Sequence, residues 1–205
     1  MAIPKSSRRK PSKVALLLID VINALDFEGS ESLLAAATQA APNIEQLARR
    51  ARKAKVPVIY VNDNFGQWRS SFEATIEACT RPSKPGRHVT FRLRPRRGDY
   101  FVLKPRHSGF FSTPLRLLLD HLRVSTLILT GFATNLCVVF TANDAHMLGY
   151  HLHVPDDCTA SNSPRLTARA LEHVRDGLGA DTTPSEELDL LTLGHPRKRR
   201  RAQGI

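Results

Sequence analysis

Short apolar runs of strand length, separated by helix-like stretches, constrain this chain more than any other feature. Residues 14–21, VALLLIDV, are apolar almost without interruption. A strand with one wet face alternates apolar and polar residues, whereas an unbroken run suits a parallel strand covered on both faces. VPVIYV (56–61), DYFVLK (99–104), TLILTG (126–131) and HLHVP (151–155) repeat the theme. Pro42 opens a helical pattern with Ile44, Leu47, Ala48, Ala51 and Ala54 on one stripe. Pro114 opens a second, PLRLLLDHL; residues 135–148 form a third that Gly149 can terminate, and 164–178 a fourth. A last short strand and helix are expected between Ala180 and Leu193. The segment from Trp68 to Arg97 is long, basic and rich in Pro and Gly; SFEATIEAC within it reads as helical and the remainder as a surface loop. The alternation predicts an α/β fold: a three-layer αβα, Rossmann-like sandwich around a mostly parallel sheet of about six strands.

Charge divides the chain into a body and two ends. The net charge is +11, and residues 1–13 and 194–205 each hold five Lys or Arg and no acid. The body, 14–193, is therefore nearly neutral. Basic tails on a neutral body mean solvated ends with non-specific polyanion contacts, so no nucleic-acid partner is expected beyond that. No apolar run approaches the roughly 18 residues that span a bilayer. The run after the basic start contains Asp20 and no small-residue cleavage site follows, so a cytoplasmic, non-membrane protein is expected. The three cysteines, Cys79, Cys137 and Cys158, have no CxxC spacing and form neither a zinc ribbon nor a disulfide framework. LLLIDVINALD lacks the GxGxxG phosphate cradle of a dinucleotide-binding enzyme.

Parallel sheets bind ligands at the carboxyl ends of their strands. Four candidates fall there: Asp20, the Asn62-Asp63-Asn64 stretch, Lys104, and the turn GFATNLC that ends at Cys137. Cys137 lies in the first turn of its helix, where free N–H groups and the dipole favour a thiolate and a lowered thiol pKa; Thr134 is a plausible N-cap. The same N–H groups can hold an oxyanion, although Thr134 can compete for one of them. Asp20 can accept the thiol proton, and Lys104 can orient the carboxylate and favour the thiolate. Each residue also has a plain structural reading: Asp20 as a helix cap, Lys104 as an exposed strand-end lysine, Cys137 as a core thiol.

Five stretches in this order, LLLIDVINALDF, VIYVNDNFG, VLKPRHSGFFSTPL, TGFATNLCVVFTANDAHMLGY and DCTAS, resemble the isochorismatase-like cysteine hydrolases. That family includes nicotinamidases, N-carbamoylsarcosine amidases, ureidoacrylate and biuret amidohydrolases, and isochorismatases. The resemblance covers about Val14 to Leu193. It implies a catalytic triad of Asp20 as general base, Lys104 as its partner and Cys137 as nucleophile. It also implies a cis peptide at Phe132–Ala133 and an oxyanion hole made by the N–H groups of Ala133 and Cys137.

Two details narrow the expectation. Nicotinamidases of this family bind a metal through an Asp-x-His pair after the second strand; here the matching residues are Asp63-Asn64-Phe65. Phenylalanine has no ligand atom, so no metal and no cofactor are expected. Vinyl-ether cleavage by isochorismatases does not need a thiol, so Cys137 favours cleavage of the C–N bond of a small amide, ureido or carbamoyl compound. Vinyl-ether hydrolysis and a non-catalytic binding protein on the same fold are the alternatives. Asn62, Asp63, Asn64, Phe65, Trp68 and Phe110 are the candidate substrate contacts, and Trp68 and Phe110 read equally well as loop anchors. The basic loop 81–97 can attract an anionic substrate or meet a neighbouring subunit, and the resemblance implies a homo-oligomer.

Overall fold

Every residue of β1 (Val14–Ile19) is buried, as an unbroken apolar run requires. A computed structural model describes residues 13–69 and 71–193; the two basic tails, apart from Lys13, lie outside them. After β1 the chain forms α1 (Glu31–Lys53), β2 (Val58–Asp63), α2 (Phe72–Cys79), α3 (Arg87–Leu93), β3 (Tyr100–Lys104) and α4 (Leu115–Leu122). Then follow β4 (Thr126–Phe132), a π-type turn over 134–138, α5 (Val139–Met147), β5 (His151–His153), β6 (Thr159–Ala160) and α6 (Pro164–Glu172). The sheet order is β3-β2-β1-β4-β5 with β6 beside β4, and all pairs are parallel.

Strand residues alternate between two apolar layers, because successive side chains point to opposite faces. Leu16, Leu18, Val58, Tyr60 and Ile128 pack against Ala37, Ile44, Leu47 and Ala51 of α1 and against α2 and α3. Leu17, Ile19, Ile59, Val61 and Leu129 pack on the other side against Leu115 and Leu119 of α4 and Ala142 and Ala145 of α5. The result is the expected αβα sandwich. No helix among the described residues is long and apolar enough to cross a membrane.

Several boundaries differ from the sequence reading. α1 begins at Glu31, not at Pro42, and carries the proline inside it. Leu33, Ala37, Ala40, Ala41 and Ile44 form one buried stripe across that point, and the alanines favour helix strongly. Pro42 and Thr38 are both exposed, so the Thr38 carbonyl that loses its helical partner lies on the solvent side. Residues 87–93, expected as loop, form α3, whose Val89, Thr90 and Leu93 are buried. Gly86 just before it lies so close to the backbone of Asn23 that a Cβ would stand 2.3 Å from the Asn23 carbonyl oxygen. Two basic residues of this segment are engaged within the chain, Lys84 with Asp26 and Arg92 with Glu45. The expected last strand and helix are reduced to a single parallel bridge from Asp181 to His153 and one 3-10 turn, Ser185–Glu187.

The register brings the site residues to one edge. Asp63 is level with Lys104, and Ile19 lies between Val61 and Gly131. Gly131 has φ +112, and a Cβ there would be 2.0 Å from the Ile19 carbonyl oxygen. Only glycine lets β4 approach β1 this closely, where Asp20 and the Cys137 turn leave the sheet.

Candidate active site

Asp20 follows β1 directly and has a left-handed backbone, φ +51, which aspartate tolerates better than most residues. Its N–H donates to the Val61 carbonyl at 3.0 Å. One carboxylate oxygen, Oδ1, accepts from the Asp63 N–H at 2.7 Å, and the other lies 2.8 Å from Lys104 Nζ. Lys104 ends β3 and is fully buried. Its ammonium also donates to the Arg106 carbonyl at 3.1 Å and lies 3.5 Å from both Asp63 Oδ2 and Cys137 Sγ. A buried cation survives only with such partners. Burial opposes its charge, but Asp20, the Cys137 sulfur and Asp63 hold its pKa above the ordinary lysine value.

Cys137 sits in the π-type turn between β4 and α5. Its thiol is pushed up to about 12, first by burial and then by the Asp20 charge, with Lys104 pulling the other way. This corrects the expectation of a lowered thiol pKa: the helix end is outweighed by desolvation and a hydrogen-bonded carboxylate. Asp20 is also raised, by burial, against the opposing pull of Lys104 and its hydrogen bond with Cys137. The arrangement therefore holds a protonated thiol against a carboxylate with enhanced basicity, and both touch one ammonium.

The Phe132–Ala133 peptide is cis. The carbonyl of Ala133 accepts from the N–H groups of Leu136 and Val138, at 3.1 and 3.3 Å, on either side of Cys137. Thr134 does not cap the turn: Ala133 occupies the cap position, and the buried Thr134 hydroxyl has no hydrogen-bond partner among the described residues.

The remaining candidates separate. Asp63 belongs to the charge cluster through Oδ2, while Oδ1 accepts from the Phe65 N–H at 2.6 Å. Asn62 is fully buried and spends its amide on Ile22, accepting from its N–H at 3.1 Å and donating to its carbonyl at 3.0 Å. It is a clamp that holds the chain after Asp20, not a substrate contact. Asn64 accepts from the Gly66 N–H at 2.9 Å and shapes the turn after β2. Phe110 stacks on Tyr150 with centroids 6.0 Å apart and packs on the core, as a loop anchor does. Trp68 is 79% exposed, so it is neither an anchor nor an enclosed wall, and Phe65 stands about half exposed. Cys79 and Cys158 are buried away from this cluster, with thiols pushed up by burial, Cys79 to about 11.

His107 was missed by sequence reasoning. Its Nδ1 lies 3.7 Å from Cys137 Sγ. The available signal was its place in the Pro-Arg-His-Ser-Gly turn that leaves the Lys104 strand end. As for a metal, no group of three or more His, Cys, Asp or Glu among the described residues could hold one, and Phe65 cannot complete a site with Asp63. These residues do not fit a metal centre.

The fold and this strand-end cluster define an α/β protein with a cysteine, a carboxylate and an ammonium gathered at the carboxyl edge of a parallel sheet. Residues 14–187 match the isochorismatase domain, and the chain belongs to the isochorismatase family of hydrolases. It is 38% identical over 174 residues to the isochorismatase family protein YaaI of Bacillus subtilis, covering 85% of this chain and 95% of that one. It is 30% identical over 195 residues to the ureidoacrylate amidohydrolase RutB of Serratia proteamaculans, covering 82% and 78% of the two chains. Among solved structures, N-carbamoylsarcosine amidase from Thermoplasma acidophilum superposes with a TM-score of 0.68 at 26% identity, covering 86% of this chain and 99% of that one. A Staphylococcus aureus nicotinamidase shares the fold, with a TM-score of 0.62 at 22% identity over 84% and 98% of the chains.

Proposed function

We propose that this hydrolase cleaves the C–N bond of a small amide, ureido or carbamoyl compound through an acyl intermediate on Cys137, without a metal. The observation that carries this reading is the buried ammonium of Lys104, which lies 2.8 Å from Asp20 and 3.5 Å from Cys137 Sγ. In the first half, Sγ attacks the substrate carbonyl while its proton passes to Asp20. Negative charge moves from the carboxylate to the sulfur and then to the substrate oxygen, and Lys104 lies beside the first two of these positions. A permanent, already desolvated cation needs no reorganisation as that charge moves. The N–H groups of Ala133 and Cys137 are the donors assigned to the oxyanion. Protonated Asp20 then delivers its proton to the leaving nitrogen and the C–N bond breaks. Water hydrolyses the thioester and restores the thiol.

The ureido and carbamoyl classes are favoured because similar proteins bear the names ureidoacrylate amidohydrolase and N-carbamoylsarcosine amidase. The test is release of ammonia from ureidoacrylate, N-carbamoylsarcosine and simple primary amides, compared between wild type and Cys137→Ala. Release that disappears in the variant is expected. Equal release in the two proteins, or release from none of these compounds alongside cleavage of a vinyl ether, would overturn the proposal.

A further inference from the structure

We propose that His107 is a further catalytic residue, the base on the solvent side of Cys137 that takes a proton from the hydrolytic water in the second half of the reaction. This rests on the acyl-Cys137 reading above. Three ionisable groups surround the sulfur. Two of them, Asp20 and Lys104, are buried and bonded to each other. The third, His107, is exposed, with Nδ1 3.7 Å from Sγ. Once the leaving amine departs, water reaches the acyl carbon from the open side, and the imidazole stands there. Asp20 serves the buried side, where the thiol proton starts.

The placement of His107 is held by the fold. Ser108 Oγ donates to Asp144 of α5. The Gly109 N–H donates to Thr141 Oγ1 at 3.0 Å, and that hydroxyl donates to the Cys137 carbonyl at 2.6 Å. The loop that carries His107 is thus bonded to the helix that carries the nucleophile. Gly109 also packs tightly: a Cβ there would lie 2.8 Å from Val61 Cγ1. The imidazole leans on the Phe140 ring, centroids 5.4 Å apart. On the site side it meets Cys137, with Lys104 and Asp20 behind the sulfur. From α5 it meets the uncharged Phe140, since Asp144 is engaged by Ser108. Its neighbour Arg106 turns its carbonyl to Lys104.

The step balances without another reactant. An imidazole nitrogen takes a proton from water as the water oxygen bonds to the acyl carbon. The tetrahedral species collapses, the C–S bond breaks, and the imidazolium returns its proton to the departing sulfur. One water is consumed, one acid leaves, and the thiol and neutral imidazole are regenerated.

The test uses p-nitrophenyl acetate, which reports the two halves separately whatever the natural substrate. A burst of p-nitrophenolate measures acylation, and the steady rate measures deacylation. In His107→Ala the burst should persist while the steady rate falls by about 100-fold, within the range of a lost acid–base group. The acetyl adduct should accumulate on Cys137 by intact mass, and free imidazole, entering the space left by the side chain, should restore turnover. Unchanged deacylation in the variant would overturn the proposal, as would a slowed rate that imidazole does not rescue, since that marks a structural role. p-Nitrophenolate release that does not depend on Cys137, with no acetyl adduct on Cys137 in either protein, would instead sink the acyl-enzyme reading itself, and the role of His107 with it.

Discussion

Replacing Asp20 with asparagine should push two properties of Cys137 in opposite directions. The variant keeps the shape of the side chain and removes its charge. That carboxylate hydrogen-bonds the Cys137 sulfur and, after burial, is the main cause of its raised pKa. Lys104 Nζ remains 3.5 Å from the sulfur. For the Asp20 charge at hydrogen-bonding range of a sulfur, about 3.5 Å, in an effective dielectric of about 20, one unit charge is worth about 5 kcal/mol, on the order of a few thousandfold in an ionisation constant. Nucleophilicity falls as a thiol becomes more acidic, with a Brønsted slope of about 0.4–0.5, so part of the gain is lost. Alkylation of Cys137 by iodoacetamide near neutral pH should therefore be faster in Asp20→Asn by about 50- to 100-fold. Amide turnover should fall by at least about 100-fold, because the group proposed to take the thiol proton and return it to nitrogen is gone. Peptide mass spectrometry of the labelled protein, with Cys79 and Cys158 as internal controls, measures the first; ammonia release measures the second. Alkylation that slows in step with turnover would refute this reasoning. It would mean that Asp20 maintains a resident thiolate instead of suppressing one.

Other expectations follow from the same geometry. In wild type, alkylation of Cys137 should keep rising between about pH 7 and pH 10 without a plateau, because its thiol is pushed up to about 12; a plateau in that range would contradict the raised value. Lys104→Met should abolish turnover and lower stability by about 3–5 kcal/mol in urea unfolding, because Asp20 is left buried without its partner; a loss under about 1 kcal/mol would show that the pair is dispensable. Since the folded state holds the Lys104 proton above the ordinary lysine value, the stability it contributes is complete below about pH 10 and is lost as pH rises through the folded value. Gly131→Ala should cost about 3 kcal/mol or more, from the 2.0 Å approach to Ile19 and the φ of +112; near-wild-type denaturation would show that the strands can part without penalty. Exhaustive chelation should leave activity intact, and a loss that zinc restores would contradict the metal-free assignment.

Much of this arrangement was legible because parallel sheets follow strong rules. β1, β2 and β4 announce themselves as apolar runs, and their carboxyl ends carry Asp20, Asp63 and the Cys137 turn. What was not legible depends on contacts between distant residues. The helix that runs through Pro42 is held by a stripe that extends back to Leu33, while the proline rule points locally to a helix start. α3 hides in a Pro-, Gly- and Arg-rich segment because its buried stripe is only Val89, Thr90 and Leu93. The direction of the Cys137 shift was misread because burial and the Asp20 charge are properties of the assembled site, whereas a helix terminus is visible in one dimension. Asn62 looked like a polar group awaiting a ligand; its partner is Ile22, in the chain that leaves the neighbouring strand β1. His107 reaches the thiol only because Ser108 and Gly109 are tied to α5.

The position of β3 has a consequence for durability. Lys104, the shared partner of Asp20 and Cys137, hangs on the outermost strand of the order β3-β2-β1-β4-β5. Edge strands have one neighbour and open more readily than central ones, so fraying need not involve the core. Detachment of β3 would withdraw the ammonium and leave the thiol and carboxylate facing each other while β1 and β4 remain packed. An opening of this seam would therefore end turnover without global melting.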